Sequence, residues 1–300
     1  MGRSISQTTS AGVNILSSTI NPSGVFGSGQ VSLFGTSSTF VVPAGVTSVR
    51  VRCFGGGGGG AAEYTSGGTG GTSSFGAYVS ATGGARGSGR SYNNEVSYGG
   101  TGVGGDINHT GGNGGSTNNY AYNRGAGGVA SYFGDGGHGA SGNPTSTIDL
   151  PGGNSTGGAG GGGSIKQSGG ATSGGNGMFS PGSYEQYASG SAPATAVPSQ
   201  HPQGQGWSPD IYGTGGGGTN TVRGINGGGG GDGRGGIGTF PGGGSGGING
   251  SGGGGGFAIK TITGLTPGAS ISVTAGAGGS GGNNGYPSPA GASGLVIVEY

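Results

Sequence analysis

Two short segments place a carboxylate and an imidazole three residues apart, Asp106-Ile-Asn-His109 and Asp135-Gly-Gly-His138. Such a pair can hold a divalent cation, or act as a base beside the group that orients it. If both pairs met in space, Asp106, His109, Asp135 and His138 would form a His₂Asp₂ site. Taken singly they are more simply polar loop segments, because motifs this short arise by chance. Gly227–Asp232 starts like a calcium-binding nonapeptide, but Arg234 stands where an apolar residue is needed and no tandem copies follow. The Gly-Lys-[Ser/Thr] of a phosphate-binding loop is absent. No Gly-x-Ser-x-Gly stands beside a strand pattern. The expectation is a protein without catalysis or cofactor.

The aromatic residues carry more. Segments 90–98 and 118–124 concentrate Tyr with Asn and Arg, and the Gly-poor stretch 178–212 holds Phe179, Tyr184, Tyr187, the sole tryptophan Trp207 and Tyr212. Tyr, Trp and Arg on rigid loops give large contact area for little entropy, as recognition surfaces require. The competing reading has these rings capping the glycine-rich scaffold between them.

The elements that must position these loops lie at the two ends of the chain. Val49, Val51 and Cys53 alternate with Arg50 and Arg52, a period of two that gives a strand one buried face. Pro43-Ala-Gly45 and Thr266-Pro-Gly-Ala269 read as turns between strands, and 72–82 as a further strand pair. The terminal Leu295-Val-Ile-Val298 is apolar on both faces and suits a central strand covered on both sides. Strands at both ends should pair with one another.

Glycine fills much of the rest, 92 of 300 residues. Its phase is broken by runs such as 215–218 and 227–231, so collagen, with glycine at every third position, is excluded. The ordered alternative is a stack of polyglycine-II-like helices, each amide finding its partner on a neighbour. The expected fold is all-β with polyglycine-II helices and essentially no α-helix. Residues 1–30 form a lead-in or attachment segment, 31–82 together with 257–300 an antiparallel β module, and 83–256 an inserted glycine-helix stack with Gly-poor loops.

Ten Lys and Arg against nine Asp and Glu leave a net charge of +1, without the basic footprint of a nucleic-acid binder. No apolar run is long enough to insert in a membrane, and the N-terminus lacks the apolar core of a signal peptide. Synthesis in a cytoplasm is expected. The single cysteine, Cys53, reads as a small buried hydrophobe.

Phe40-Val-Val-Pro-Ala-Gly-Val-Thr-Ser-Val-Arg-Val51 followed by Phe54 and a glycine run resembles the opening of glycine-rich bacteriophage tail-fibre proteins. Gly71–Gly76, Ala81–Gly84, Gly104–Asn108, Gly111–Gly115, Ala130–Gly134 and the ending Gly294–Tyr300 are similar to further blocks of that group, including distal adhesins of the polyglycine-II type. The resemblance implies a virion surface protein that binds a host cell-surface receptor, an outer-membrane protein or glycan, through the Gly-poor loops. It implies homotrimers and attachment to other fibre proteins through the N-terminal segment, with Asp106–His109 and Tyr132–Phe133 as framework. The receptor contacts expected are Tyr184, Tyr187, Trp207 and Tyr212, then Tyr92, Tyr98, Tyr120 and Tyr122. Weighed against this are a structural virion component with no receptor of its own, and an ice-binding bundle, which would show a flat, loop-free face.

Overall fold

The computed structural model describes residues 30–89, 96–115, 125–141, 153, 155–159, 161, 238, 240–247, 250–285 and 287–300, with the backbone of four short strands between 122 and 188. Among them there is no helix. The strands are β1 (Val31–Phe34), β2 (Ser38–Val41), β3 (Ser48–Phe54), β4 (Ser73–Phe75), β5 (Val79–Ala81), β6 (Gly102–Val103) and β7 (Ile107–His109). Four two-residue strands follow, β8 (Tyr122–Asn123), β9 (Ile165–Lys166), β10 (Gly177–Met178) and β11 (Tyr187–Ala188). The last are β12 (Phe257–Thr263), β13 (Ser270–Thr274) and β14 (Leu295–Glu299).

Two five-stranded antiparallel sheets carry the fold, ordered β1-β14-β3-β12-β7 and β2-β13-β4-β5-β6. The first and last of the described strands are thus neighbours, with Val31 opposite Glu299. Their inner faces enclose one apolar core of Phe40, Val49, Val51, Cys53, Phe75, Val79, Ile271, Val273, Val296 and Val298. The alternation on β3 is as expected: Val49, Val51 and Cys53 are fully buried while Arg50 and Arg52 point to the other face. That other face is covered too. Leu295 and Ile297 join Phe54, Phe257, Ile259, Val129, Ala130 and Ala159 in a second core. β14 is therefore buried on both sides, and its unbroken apolar run follows from that.

Both Pro/Gly turns pass the chain from one sheet to the other instead of closing a hairpin. β2 and β3 flank Pro43–Gly45 in different sheets, as β12 and β13 flank Thr266–Ala269. Gly45 takes φ 79, a left-handed turn conformation that suits glycine.

Inside the core, burial pushes the Cys53 thiol up from 9.0 to about 12. A thiol whose folded value is raised keeps its full stabilising contribution below the unfolded value. That contribution is lost as pH rises from 9 towards 12. Cys53 should therefore resist thiol reagents in the folded protein and react on unfolding, a difference that thiol titration with and without denaturant measures.

Beyond the strands the backbone continues as glycine segments that bond to one another in a three-residue repeat. In 55–62, the amides of Gly55, Gly58 and Ala61 donate to the carbonyls of Gly256, Gly253 and Gly250. Those of Gly56, Gly59 and Ala62 donate to Gly71, Gly68 and Thr65. Those of Gly57 and Gly60 donate to Ala292 and Pro289. In return Gly84 and Gly87 donate to Gly56 and Gly59, Gly279 and Gly282 to Gly57 and Gly60, and Ser245 to Gly58. Six segments surround 55–62: the three that accept from it run antiparallel, and of the three that donate to it 84–87 and 279–282 run parallel. Segment 250–256 is enclosed in the same way, by 55–61, 82–85, 98–100, 112–115, 127–130 and 242–245.

Side chains have no room inside this array. A Cβ on Gly55 or Gly58 would lie 1.9 or 2.0 Å from the carbonyl oxygen of Thr82 or Ala85. On Gly57 or Gly60 it would lie 2.0 Å from that of Gly243 or Gly246. Only glycine lets backbones approach this closely. Where the array admits a side chain it is mostly a small one: Ala61, Ala62 and Ala126 are fully buried, as is Ser245, which accepts from the amide of Gly60 at 2.7 Å and donates to the carbonyl of Pro289 at 2.7 Å. Segments 55–62, 65–71, 276–282 and 289–294 share the array with 82–87, 112–115, 125–130, 242–247 and 250–256.

Candidate functional site

The direction of each segment decides where the loops lie. β3 runs out into 55–62, which turns at Glu63-Tyr64 and returns as 65–72 into β4. β5 runs out into 82–89, and 96–101 returns into β6. β7 leads out into 110–115, and 125–130 returns to the turn at Tyr132–Phe133, where Phe133 packs on the second core. Segment 135–141 goes out again, and the amides of Gly153 and Thr156 bond back along it, to His138 and Asp135. Segments 242–247 and 250–256 form another such pair ending in β12, and β13 leads out into 275–282, from which 287–294 returns into β14. The described residues flanking 90–95, 116–124, 142–152 and 248–249, and the turns at 63–64 and 283–285, all lie at the end of the array away from the sheets.

Of the eight expected aromatic contacts, Tyr98 has a described side chain, on the returning segment 96–101 and 65% exposed. Tyr122 and Tyr187 fall on β8 and β11, paired with Lys166 and Met178. Tyr92, Tyr120, Tyr184, Trp207 and Tyr212 lie outside the described residues. Sequence reasoning passed over Tyr64, 53% exposed at the turn beside Glu63. The signal available was that Glu63-Tyr64 breaks the small-residue run between Gly55 and Gly71.

The two Asp-x-x-His segments come together in part. His109 Nδ1 lies 3.4 Å from Asp135 Oδ1. Asp106 is turned to β12, where its Oδ2 accepts from the amide of Thr261 at 2.8 Å. His138 accepts at Nδ1 from the amide of Asn113 at 2.9 Å, which places its proton on Nε2. Among the described residues no three His, Cys, Asp or Glu side chains are placed to hold a metal ion. The segments work as rungs instead. Asp135 Oδ1 accepts from the amide of Thr110 at 2.7 Å, so Asp135 and His138 bind Thr110 and Asn113 at the array's own three-residue repeat. Tyr132 is half-exposed and meets Phe133 edge to face, ring centroids 5.2 Å apart.

No protein-family model matches the sequence, and neither a curated protein nor a solved structure is similar to it.

Proposed function

We propose that this protein is a virion surface protein, the receptor-binding tip of a bacteriophage tail fibre, and that its glycine segments are polyglycine-II helices carrying the contact loops. Such a helix has three residues per turn and no internal hydrogen bonds, so its amides point in three directions in succession. The observed return to the same neighbour after three residues is what packed helices of this kind produce. One observation carries the function: outgoing segments and those that return from them approach one another at a single end, so Tyr64 and the described residues flanking 90–95, 116–124 and 142–152 are gathered there. A rigid array held by backbone bonds tolerates change in those loops, since closure cost grows slowly with loop length. A surface that must follow a varying receptor needs that tolerance. The partner is a host outer-membrane protein or glycan; the protein is not an enzyme.

Replacing Trp207 and Tyr212 together by alanine is expected to abolish adsorption of the purified protein to host cells while the thermal transition stays unchanged. Unchanged adsorption would remove both residues from the contact set. If replacing Tyr64, Tyr98, Tyr92 and Tyr120 also left it intact, the structural virion role would stand in its place.

A second reading draws on the array's outer surface. Ser66, Thr69 and Thr72 on one segment, and Thr274, Ala277, Ser280 and Asn283 on the next, recur every third residue and are half-buried or exposed. A regular face of small, mostly hydroxyl-bearing side chains fits an ice-binding bundle. Thermal hysteresis in a solution of the protein would favour that reading; its absence would dismiss it.

A further inference from the structure

Two Asn-Gly pairs among the described residues sit in opposite settings, and their contrast identifies a site of covalent change. We infer that Asn284–Gly285 is a spontaneous deamidation site that places a carboxylate on the loop end of the array, whereas Asn113–Gly114 is chemically locked by the same array. In this reaction the backbone nitrogen of Gly285 gives its proton to water or hydroxide and attacks Cγ of Asn284. The new bond from that nitrogen to Cγ closes a succinimide as the bond between Cγ and Nδ2 breaks, and Nδ2 takes up a proton and leaves as ammonia. Water then opens the ring at either carbonyl, giving aspartate or isoaspartate. No oxidant or further reagent enters.

The ring closes only if the attacking nitrogen is accessible and the backbone can swing toward the side chain. Asn283, Asn284 and Gly285 are all exposed. Its chain neighbours apart, nothing lies within 4 Å of where a Gly285 Cβ would stand, and its φ of 76 is a left-handed turn conformation. The Gly285 amide donates to Asn283 Oδ1 at 3.2 Å, a solvent-exposed bond that local opening breaks readily. At Asn113 every requirement fails. The Gly114 amide donates to the carbonyl of Ser97 at 2.8 Å, with Ser97 buried, and a Gly114 Cβ would stand 1.9 Å from the carbonyl oxygen of Ser251. Asn113 is held through its own amide by His138 and through Oδ1 by the amide of Gly99 at 2.9 Å. Its amide and the Gly114 nitrogen move only if the array opens.

The inference is independent of what the loops bind. The test incubates the full-length protein at mildly alkaline pH and follows both peptides by fragment mass spectrometry, which separates amide from acid. Native protein should convert Asn284 at least about tenfold faster than Asn113, because only the latter waits on opening of the array. In denaturant both should convert at similar rates, and Asn284→Gln should abolish the native reaction at that loop. Equal native rates at the two sites, or an Asn284 amide that persists while Asn113 is lost, would overturn it.

Discussion

Gly58→Ala is expected to yield a protein that does not fold. The added Cβ would stand 2.0 Å from the oxygen and 2.7 Å from the carbon of the Ala85 carbonyl. Both belong to backbone, so nothing there is free to rotate away. The Gly58 amide is bound to Gly253 at 2.9 Å and its carbonyl to the amide of Ser245 at 3.1 Å. Moving 55–62 away from one neighbour therefore strains its bonds to the others. The loss should exceed ~4 kcal/mol, the range reserved for overpacked or disrupted cores. Gly35→Ala is the matched control, since nothing lies within 4 Å of its position. It should change stability by no more than about 0.5 kcal/mol. Soluble yield and thermal denaturation of the two variants would check this. A Gly58→Ala protein that melts with the parent would mean that the segments are not packed backbone to backbone.

Glu299→Gln should be strongly destabilising although it lies outside the glycine array. Its carboxylate accepts from Arg50, at 2.7 Å from Nε, and pairs with Arg52 on the same face of β3. The side chains of Arg52 and Glu299 are only 14% and 17% exposed. Removing the charge leaves two guanidinium groups together on a largely covered face. Breaking such a pair from one side costs about 3 kcal/mol, more than the pair itself contributes. Replacing Arg52 and Glu299 together by methionine should recover much of that loss, because matched apolar side chains need no partner. Chemical denaturation of the single and double variants provides the comparison.

The strands were legible because side chains announce them. Val49, Val51 and Cys53 alternate with arginines, and the doubly apolar Leu295–Val298 declared a strand covered on both faces. The sheet each strand joins was not legible, since the same Pro/Gly chemistry serves a hairpin and a passage between sheets. The glycine segments hid more. Without side chains, nothing in 55–62 says that its neighbours are 84–87 or 279–282. The spacing of Asp135 and His138 is compatible with a metal pair, but three residues is also the repeat of the array, and there the two side chains meet backbone amides. Tyr64 escaped notice because a single ring in a glycine run looks like an interruption until the turn beneath it is seen.

The six-fold enclosure of 55–62 also sets a timetable for synthesis. Two of the surrounding segments, 279–282 and 289–292, lie far downstream of it, and 242–245 and 250–256 leave the ribosome only shortly before them. Of its bonding partners only 65–71 and 84–87 emerge early. Contacts so distant in sequence form late and slowly. The nascent protein must therefore carry this segment unfinished, amides in water, until residues 279–292 have left the ribosome, so completion of the interior waits on translation of a distant part of the sequence.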